Sequence, residues 1–237
     1  MKIFAKIRFY YGASIITLIA AGIMVPLMLI FRKDTNKILH KYNALIIKFM
    51  GAKIITTGKR DNSADVFVMN HQGIIDIVAM EAAELTDMRW VAKRQLFDTP
   101  WFGFLLKLPN MINVDRADKA GLIKLLRDAK ETKDGEIHRT MAIFPEGTRS
   151  NKQELRPFKN GTKIIAEKLE LTIQPIIITN SKNLLNEHIR ESYRADVYIK
   201  YCDTFKVDRS DKEWYSNLEK SMQEEIDKEL KNNGRYR

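Results

Sequence analysis

Cysteine is almost missing from this chain. Cys202 is the only one in 237 residues, so no internal disulfide can form and a reducing compartment is implied. A lone cysteine also excludes Cys₂His₂ and Cys₄ zinc sites, and there is no HExxH. Internal repeats and low-complexity tracts are absent. Acidic residues are scarce at the amino end: the first 60 residues hold one acid, Asp34, against eleven lysines and arginines. The other 177 residues carry 29 basic and 29 acidic side chains, so the whole formal charge of +10 lies in that first quarter. Charge of any sign is missing from Phe9 to Phe31. As one straight helix those residues would span roughly 34 Å, enough to cross the hydrocarbon of a bilayer.

What surrounds that run decides how it is read. No small-x-small cleavage site follows it before Arg32, which disfavours a removed leader. A single spanning helix, or a hairpin or tilted helix held in one leaflet, both fit. Basic residues flank both ends (Lys2, Lys6, Arg8; Arg32, Lys33), so charge asymmetry gives no orientation. Gly22 and Pro26 are positions for a bend. Ile38, Leu39, Tyr42, Leu45, Ile46, Phe49 and Met50 then recur at helical spacing among Lys37, Lys41 and Lys48. That pattern suits an interfacial helix or one docked on the core with its basic face in water. The clustered positive charge favours an anionic lipid surface on the cytoplasmic side, at about 1 kcal/mol per nearby Lys or Arg. Nucleic acid is not an expected partner, since the charge flanks a lipophilic segment and residues 61–237 are neutral overall.

Beyond residue 60 short apolar runs alternate with helical patterns. Strands are predicted at 54–56, 66–69, 90–92, 111–114, 140–144, 172–178 and 197–201. Helices are predicted at 74–83, 100–106, 119–130, 161–169 and 212–230, the last solvated on most sides. Alternation of this kind implies an α/β fold, a mostly parallel mixed sheet flanked by helices and preceded by a membrane-associated helical segment. Residues 1–50 are assigned as the anchor and 51–237 as the α/β domain. Ser181 to Glu191 reads as a surface loop or short helix, and Cys202 as ordinary packing. His40 is expected to face the interface, and His138 and His188 to be surface groups.

Functional groups in such sheets gather at the carboxyl ends of strands. Asn70-His71-Gln72-Gly73-Ile74-Ile75-Asp76 follows one predicted strand, Asp115-Arg116 another, and Phe144-Pro145-Glu146-Gly147-Thr148-Arg149-Ser150 a third. Five residues is about 140° around an ideal helix, so His71 and Asp76 do not share a helical face. They meet only if His71 lies in the turn and Asp76 in the first helical turn. Asp76 then orients one imidazole nitrogen and leaves the other as a base for a hydroxyl proton. Arg149 is suited to a phosphate. With no GxSxG elbow and no Ser or Cys evidently partnered to His71, a covalent enzyme intermediate is disfavoured. Together these are parts for acyl transfer to a phosphate-bearing alcohol.

These segments closely resemble the membrane glycerolipid acyltransferases of the HxxxxD type, specifically the 1-acylglycerol-3-phosphate acyltransferases. The resemblance covers about residues 50–180. NHQGIID resembles the first block of that family and residues 92–116 its second. FPEGTRS resembles its most specific block, RPFKNG the run that follows, and Gln174-Pro175-Ile176 the last. It implies His71 as general base, Asp76 as its orienter, and Glu146, Gly147, Thr148 and Arg149 in acceptor binding, with Arg116 and Lys93 as further phosphate-side cations. It implies a fatty acyl group moved from acyl-coenzyme A or acyl-carrier protein to the sn-2 hydroxyl of lysophosphatidic acid, giving phosphatidic acid at the cytoplasmic face of the membrane, with no metal and no cofactor beyond the donor. A different acceptor (glycerol-3-phosphate or a lysophospholipid) and a non-catalytic membrane-binding relative are the alternatives. Three departures stand out. Gly73 replaces a serine common in the first block, Pro109-Asn110 stands where a glycine is usual, and Asn113 interrupts an apolar strand. Trp101, Phe102, Phe104, Leu105 and Leu106 are candidate lining for an acyl chain or plain helix packing.

Overall fold

The computed structural model describes residues 2–84, 87–115, 119–136 and 139–233. The chain starts with α1 (Lys2–Ile19), a π turn (Ala20–Met24) and α2 (Val25–Ile30), followed by α3 (Thr35–Phe49). Then come β1 (Ile54–Thr57), β2 (Val66–Met69), α4 (Ile74–Ala83), β3 (Met88–Lys93), α5 (Arg94–Phe97), α6 (Phe102–Lys107) and β4 (Ile112–Val114). The remainder is α7 (Lys119–Asp134), β5 (Thr140–Ile143), α8 (Asn160–Leu169), β6 (Thr172–Thr179), α9 (Ser181–Leu184), β7 (Val197–Tyr201), β8 (Phe205–Lys206) and α10 (Trp214–Asn233).

The strands form one sheet in the order β1-β7-β6-β2-β5-β3-β4, with β8 on β6. β6, β2, β5, β3 and β4 run parallel, whereas β7 and β8 pair antiparallel with β6. This is the mixed, mostly parallel sheet expected from the alternation. β2 is buried at every residue, as a central strand covered on both sides must be. Its side chains alternate between two cores. Phe67 and Met69 join α3, α4 and the π turn on one face, and Val66 and Val68 join α7, α8 and α10 on the other. Each fully buried Ile, Met or Phe contributes ~1.5–3 kcal/mol.

Two helix faces left open or read as largely solvated find protein partners. Helix α10 was expected to be solvated on most sides, yet Trp214, Tyr215, Leu218, Met222 and Ile226 are buried. That stripe recurs about every fourth residue and was masked by the charges between. Helix α3 packs on α4 with Ile38, Leu39, Ile46 and Ile47 buried, so its apolar face is spent on protein. Phe49 alone of the named apolar set stays exposed, at 51%. His40 does not face an interface. Its Nδ1 lies 3.1 Å from Glu81 O and 3.0 Å from Glu84 O, at the carboxyl end of α4. Those carbonyls are the last of the helix and need a donor.

Lys2–Ile30 is one continuous apolar helix of 29 residues, of mean hydropathy 2.4 across its most apolar stretch and only 22% buried there. Pro26 has no N–H and its ring would meet the carbonyl four residues back. The π turn accommodates this by widening the helix, and the Val25 N–H reaches back to Ala20 O. One side of the helix (Ala5, Gly12, Ile19, Met24, Met28) lies against the protein. The other presents Ile3, Phe4, Ile7, Leu18 and Ile30 to the surroundings.

At the amino end of the sheet a carboxyl group is buried. Glu81 Oε1 accepts the Trp90 indole N–H at 2.5 Å. Burial pushes its pKa up to about 7, with nearby Asp87 adding to the effect and the Trp90 bond and Arg139 opposing it. A folded-state value above the ordinary carboxyl value means that the folded protein holds a proton the unfolded chain has lost. Stability is therefore lost as pH rises from about 4.5 to about 7. Glu81→Gln keeps an acceptor for Trp90. It is expected to flatten this loss and to raise the melting temperature at pH 8, as checked by thermal melts across pH 5 to 8. A variant no more stable than wild type at pH 8 would refute the assignment.

Candidate active site

The end of β2 is shaped by Asn70. Its side chain copies a peptide group: Nδ2 donates to Ile178 O at 2.7 Å and Oδ1 accepts from Ile178 N at 2.7 Å. The ladder to β6 thus continues through a side chain while the backbone turns away. His71 lies in that turn. Asp76 is at the third position of α4 and fully buried. Its Oδ2 accepts from His71 Nδ1 at 2.9 Å, Gln72 N at 2.5 Å and Gly73 N at 2.8 Å. This is the geometry the spacing requires, turn first and helix second. With Nδ1 committed to Asp76, Nε2 is the nitrogen left to take a proton.

The neighbouring strand β5 delivers the second segment. Phe144 stacks on the His71 ring at 3.9 Å between centroids with 9° between planes, and Trp90 packs behind Phe144 at 5.4 Å. The imidazole is therefore held in its plane as well as at its Nδ1. Gly147 has φ +69°, a left-handed turn that a side chain would strain. Glu146 departs from the expectation of direct acceptor contact. It is 1% exposed, and its two oxygens accept His71 N and Arg156 N, each at 2.8 Å. It is a brace between the two segments. Burial pushes its pKa up to about 7, with the Asp76 charge adding to this and the two backbone bonds opposing it. Ser150 N donates to His71 O at 2.8 Å, a further tie.

Thr148 and Arg149 are exposed on the same turn. Arg149 Nη1 donates to Glu187 Oε2 at 2.7 Å. Lys93 is exposed at the carboxyl end of β3, on the same edge of the sheet as His71. Arg116 lies outside the described residues. His188 is exposed, as expected, and His138 also lies outside the described residues. Asn110 has φ +55°, which explains how it stands where a glycine is usual.

Three residues at the site were missed by sequence reasoning. Glu187 and Lys182 lie in the stretch read as a surface loop or short helix, and Lys182 falls in the short helix α9. Lys182 is 8% exposed and its ammonium donates to Ser150 O and, at 3.3 Å, to Asn151 Oδ1. Burial lowers its pKa, against the raising influence of Asp76 and Glu187. Asn70 lay in a noted block without a role. The signal available was its place directly after a buried strand, where an amide can replace a peptide group. Cys202 is half-buried and burial pushes its thiol up to about 11, in keeping with packing. A surface hollow of about 660 Å³ between α3 and β1 lies away from these groups.

A sequence model of the Acyltransferase family matches residues 47–179. The chain is 34% identical over 221 residues to the 1-acyl-sn-glycerol-3-phosphate acyltransferase of Helicobacter pylori, covering 92% of each protein. It is 28% identical over 187 residues to the protein of the same name from Borreliella burgdorferi, covering 76% of this chain and 72% of that one. The crystal structure of the 1-acyl-sn-glycerophosphate (LPA) acyltransferase PlsC from Thermotoga maritima superposes with a TM-score of 0.76, at 21% identity, over 100% of this chain and 98% of that one. At that identity the superposition speaks for the fold.

The bracing geometry has two measurable consequences. Asp76→Asn puts an NH₂ or a single carbonyl where one oxygen now takes three donors, so turnover should fall about 10²–10⁴-fold in a steady-state assay. A loss below tenfold would remove Asp76 as orienter. Glu146→Gln sets an amide NH₂ against a backbone N–H. One unsatisfied buried donor costs about 1–3 kcal/mol, so kcat/KM should drop roughly ten- to a hundredfold without any change in direct ligand contact. Unaltered kcat/KM in this variant would show that the brace is dispensable.

Proposed function

The chain belongs to the Acyltransferase family, and from that premise we propose that it is a 1-acyl-sn-glycerol-3-phosphate acyltransferase, moving a fatty acyl group from a thioester to the sn-2 hydroxyl of lysophosphatidic acid to form phosphatidic acid. The observation that carries the mechanism is the 2.9 Å contact from His71 Nδ1 to Asp76 Oδ2 with the ring stacked on Phe144. His71 Nε2 takes the proton of the acceptor hydroxyl as its oxygen attacks the thioester carbonyl carbon. Asp76 stabilises the imidazolium that forms. The tetrahedral intermediate collapses, the carbon–sulfur bond breaks, and the proton on Nε2 passes to the departing thiolate. Arg149, with Lys93 and Arg116, holds the phosphate and sets the position of the hydroxyl. The donor is acyl-coenzyme A or acyl-carrier protein.

The amino-terminal helix is the anchor, lying in the cytoplasmic leaflet. Two observations support this placement. One side of the helix is occupied by protein along its length while the other is apolar, an arrangement suited to a helix lying in the interface. Both ends carry basic residues, which belong on the cytoplasmic side. A crossing helix would leave one basic end on the far side.

The test is thiol release from acyl-coenzyme A and from acyl-carrier protein by the detergent-solubilised protein, with and without lysophosphatidic acid. Release is expected only with the acceptor, and His71→Ala should abolish it. Glycerol-3-phosphate or a lysophospholipid supporting faster release than lysophosphatidic acid would overturn the acceptor assignment. Release that persists in His71→Ala would overturn the mechanism.

A further inference from the structure

The cation best placed for the acceptor's phosphate is already occupied by this chain. Arg149 Nη1 donates to Glu187 Oε2 at 2.7 Å. The other oxygen, Oε1, lies 3.3 Å from Ile74 N, the first N–H of the ten-residue helix α4. Two oxygens of one anion thus sit on a guanidinium and on a helix amide, two residues along the chain from Asp76 and three from His71. The carboxylate is held as a bound phosphate would be held.

Gly73 bears on this placement. It puts no side chain in the way at the start of α4, and Glu187 reaches in from 113 residues away to accept the Ile74 N–H. A Cβ built on Gly73 would meet Glu187 Oε2 at 3.5 Å, so the carboxylate lies directly over the start of α4. The segment carrying Glu187 is fixed. Leu184 and Leu185 are in the core, Ser192 N donates to Ala5 O at 3.0 Å, and Ser192 Oγ donates to Leu184 O at 2.6 Å. The two partners, however, are partly open to solvent, with side-chain exposures of 42% for Arg149 and 24% for Glu187. A change of rotamer at Glu187 therefore releases Arg149 while the loop stays in place.

We propose that Glu187 is a built-in counter-anion which the acceptor's phosphate displaces from Arg149, and that this residue thereby sets the acceptor's apparent affinity. The proposal rests on the acceptor being a phosphate monoester, as above. A phosphate dianion brings more charge and more acceptor oxygens to the guanidinium than a carboxylate does, so exchange favours the substrate. An empty site keeps Arg149 paired and oriented.

The experiment compares wild type, Glu187→Gln and Glu187→Asp as full-length protein in mixed micelles. It reads the KM for lysophosphatidic acid and the Ki of inorganic phosphate as a competitive probe. Glu187→Gln should lower both together by about two- to fivefold, the size of one partly exposed ion pair. Glu187→Asp keeps the charge on a shorter arm and should fall between. KM and Ki that are unchanged or raised would overturn the proposal, making Glu187 a support for Arg149. A lower kcat with KM and Ki unmoved would also overturn it, leaving Glu187 as the cap of α4. If wild type turns over a different phosphorylated acceptor, the Ki of phosphate against that acceptor still decides the role of Glu187. Failure of the acceptor assignment is thereby kept separate from failure of this inference.

Discussion

Asp76 Oδ2 gathers three donors within 2.9 Å, and the position of everything around His71 follows from that convergence. A buried carboxyl without partners would be costly, so the chain between residues 70 and 76 has to wrap its backbone N–H groups around it. Wrapping turns the peptides of Gln72 and Gly73 inward, starts α4, and leaves the imidazole with one nitrogen spoken for. The second carboxyl, Glu146, works in the same way on the other segment, catching His71 N and Arg156 N. No regular ladder reaches these loops. Side-chain oxygens take the place of strand partners there, and the base is held by backbone bonds on both sides.

The sheet explains why this occurs where it does. β2 has β6 on one side and β5 on the other. The chain leaves β2 through α4 onto one face and leaves β5 through α8 onto the other. The two segments diverge at their carboxyl ends, and a gap opens between neighbouring strands, the usual place for a ligand in a parallel sheet. The face carrying α4 is also the face on which α3 and the apolar helix pack, so His71 and that helix share one side of the sheet.

Much of this was legible from residue order. Helix α4 was predicted at Ile74–Ala83 and found there, because an apolar pattern, a preceding turn and an acid in the first helical turn all agree. Spacing alone lets His71 and Asp76 meet only with His71 in the turn and Asp76 in the first helical turn, and that arrangement is the one found. What could not be read depends on partners far along the chain. The bracing role of Glu146 requires knowing that His71 N lies 75 residues back, and the role of Glu187 requires Ile74 N at a separation of 113. The amphipathic pattern of α3 is the same whether lipid or α4 covers it, so periodicity alone leaves the partner open. In α10 the many charges outweighed a narrow stripe of five buried apolar side chains in a helix of 20 residues.

Two buried carboxyl groups, Glu81 and Glu146, both have pKa values pushed up to about 7. Both hold protons in the folded protein that the unfolded chain gives up near pH 4.5, so each withdraws stability as pH rises through that interval. An ion-paired acid nearer the surface, such as Glu225 lowered by Lys200 and Lys228, acts in the other direction but is partly open to water and salt. Catalysis makes the opposite demand, because an imidazole accepts a proton only when it is neutral. These two groups therefore favour folding at lower pH, whereas the base has to be neutral to act. Glu146 ties the two together, since protonating it replaces one of its two acceptors with a hydroxyl donor and loosens its hold on either His71 N or Arg156 N. The brace that orients the base is at full strength only where the fold has given up part of its acid-side stability.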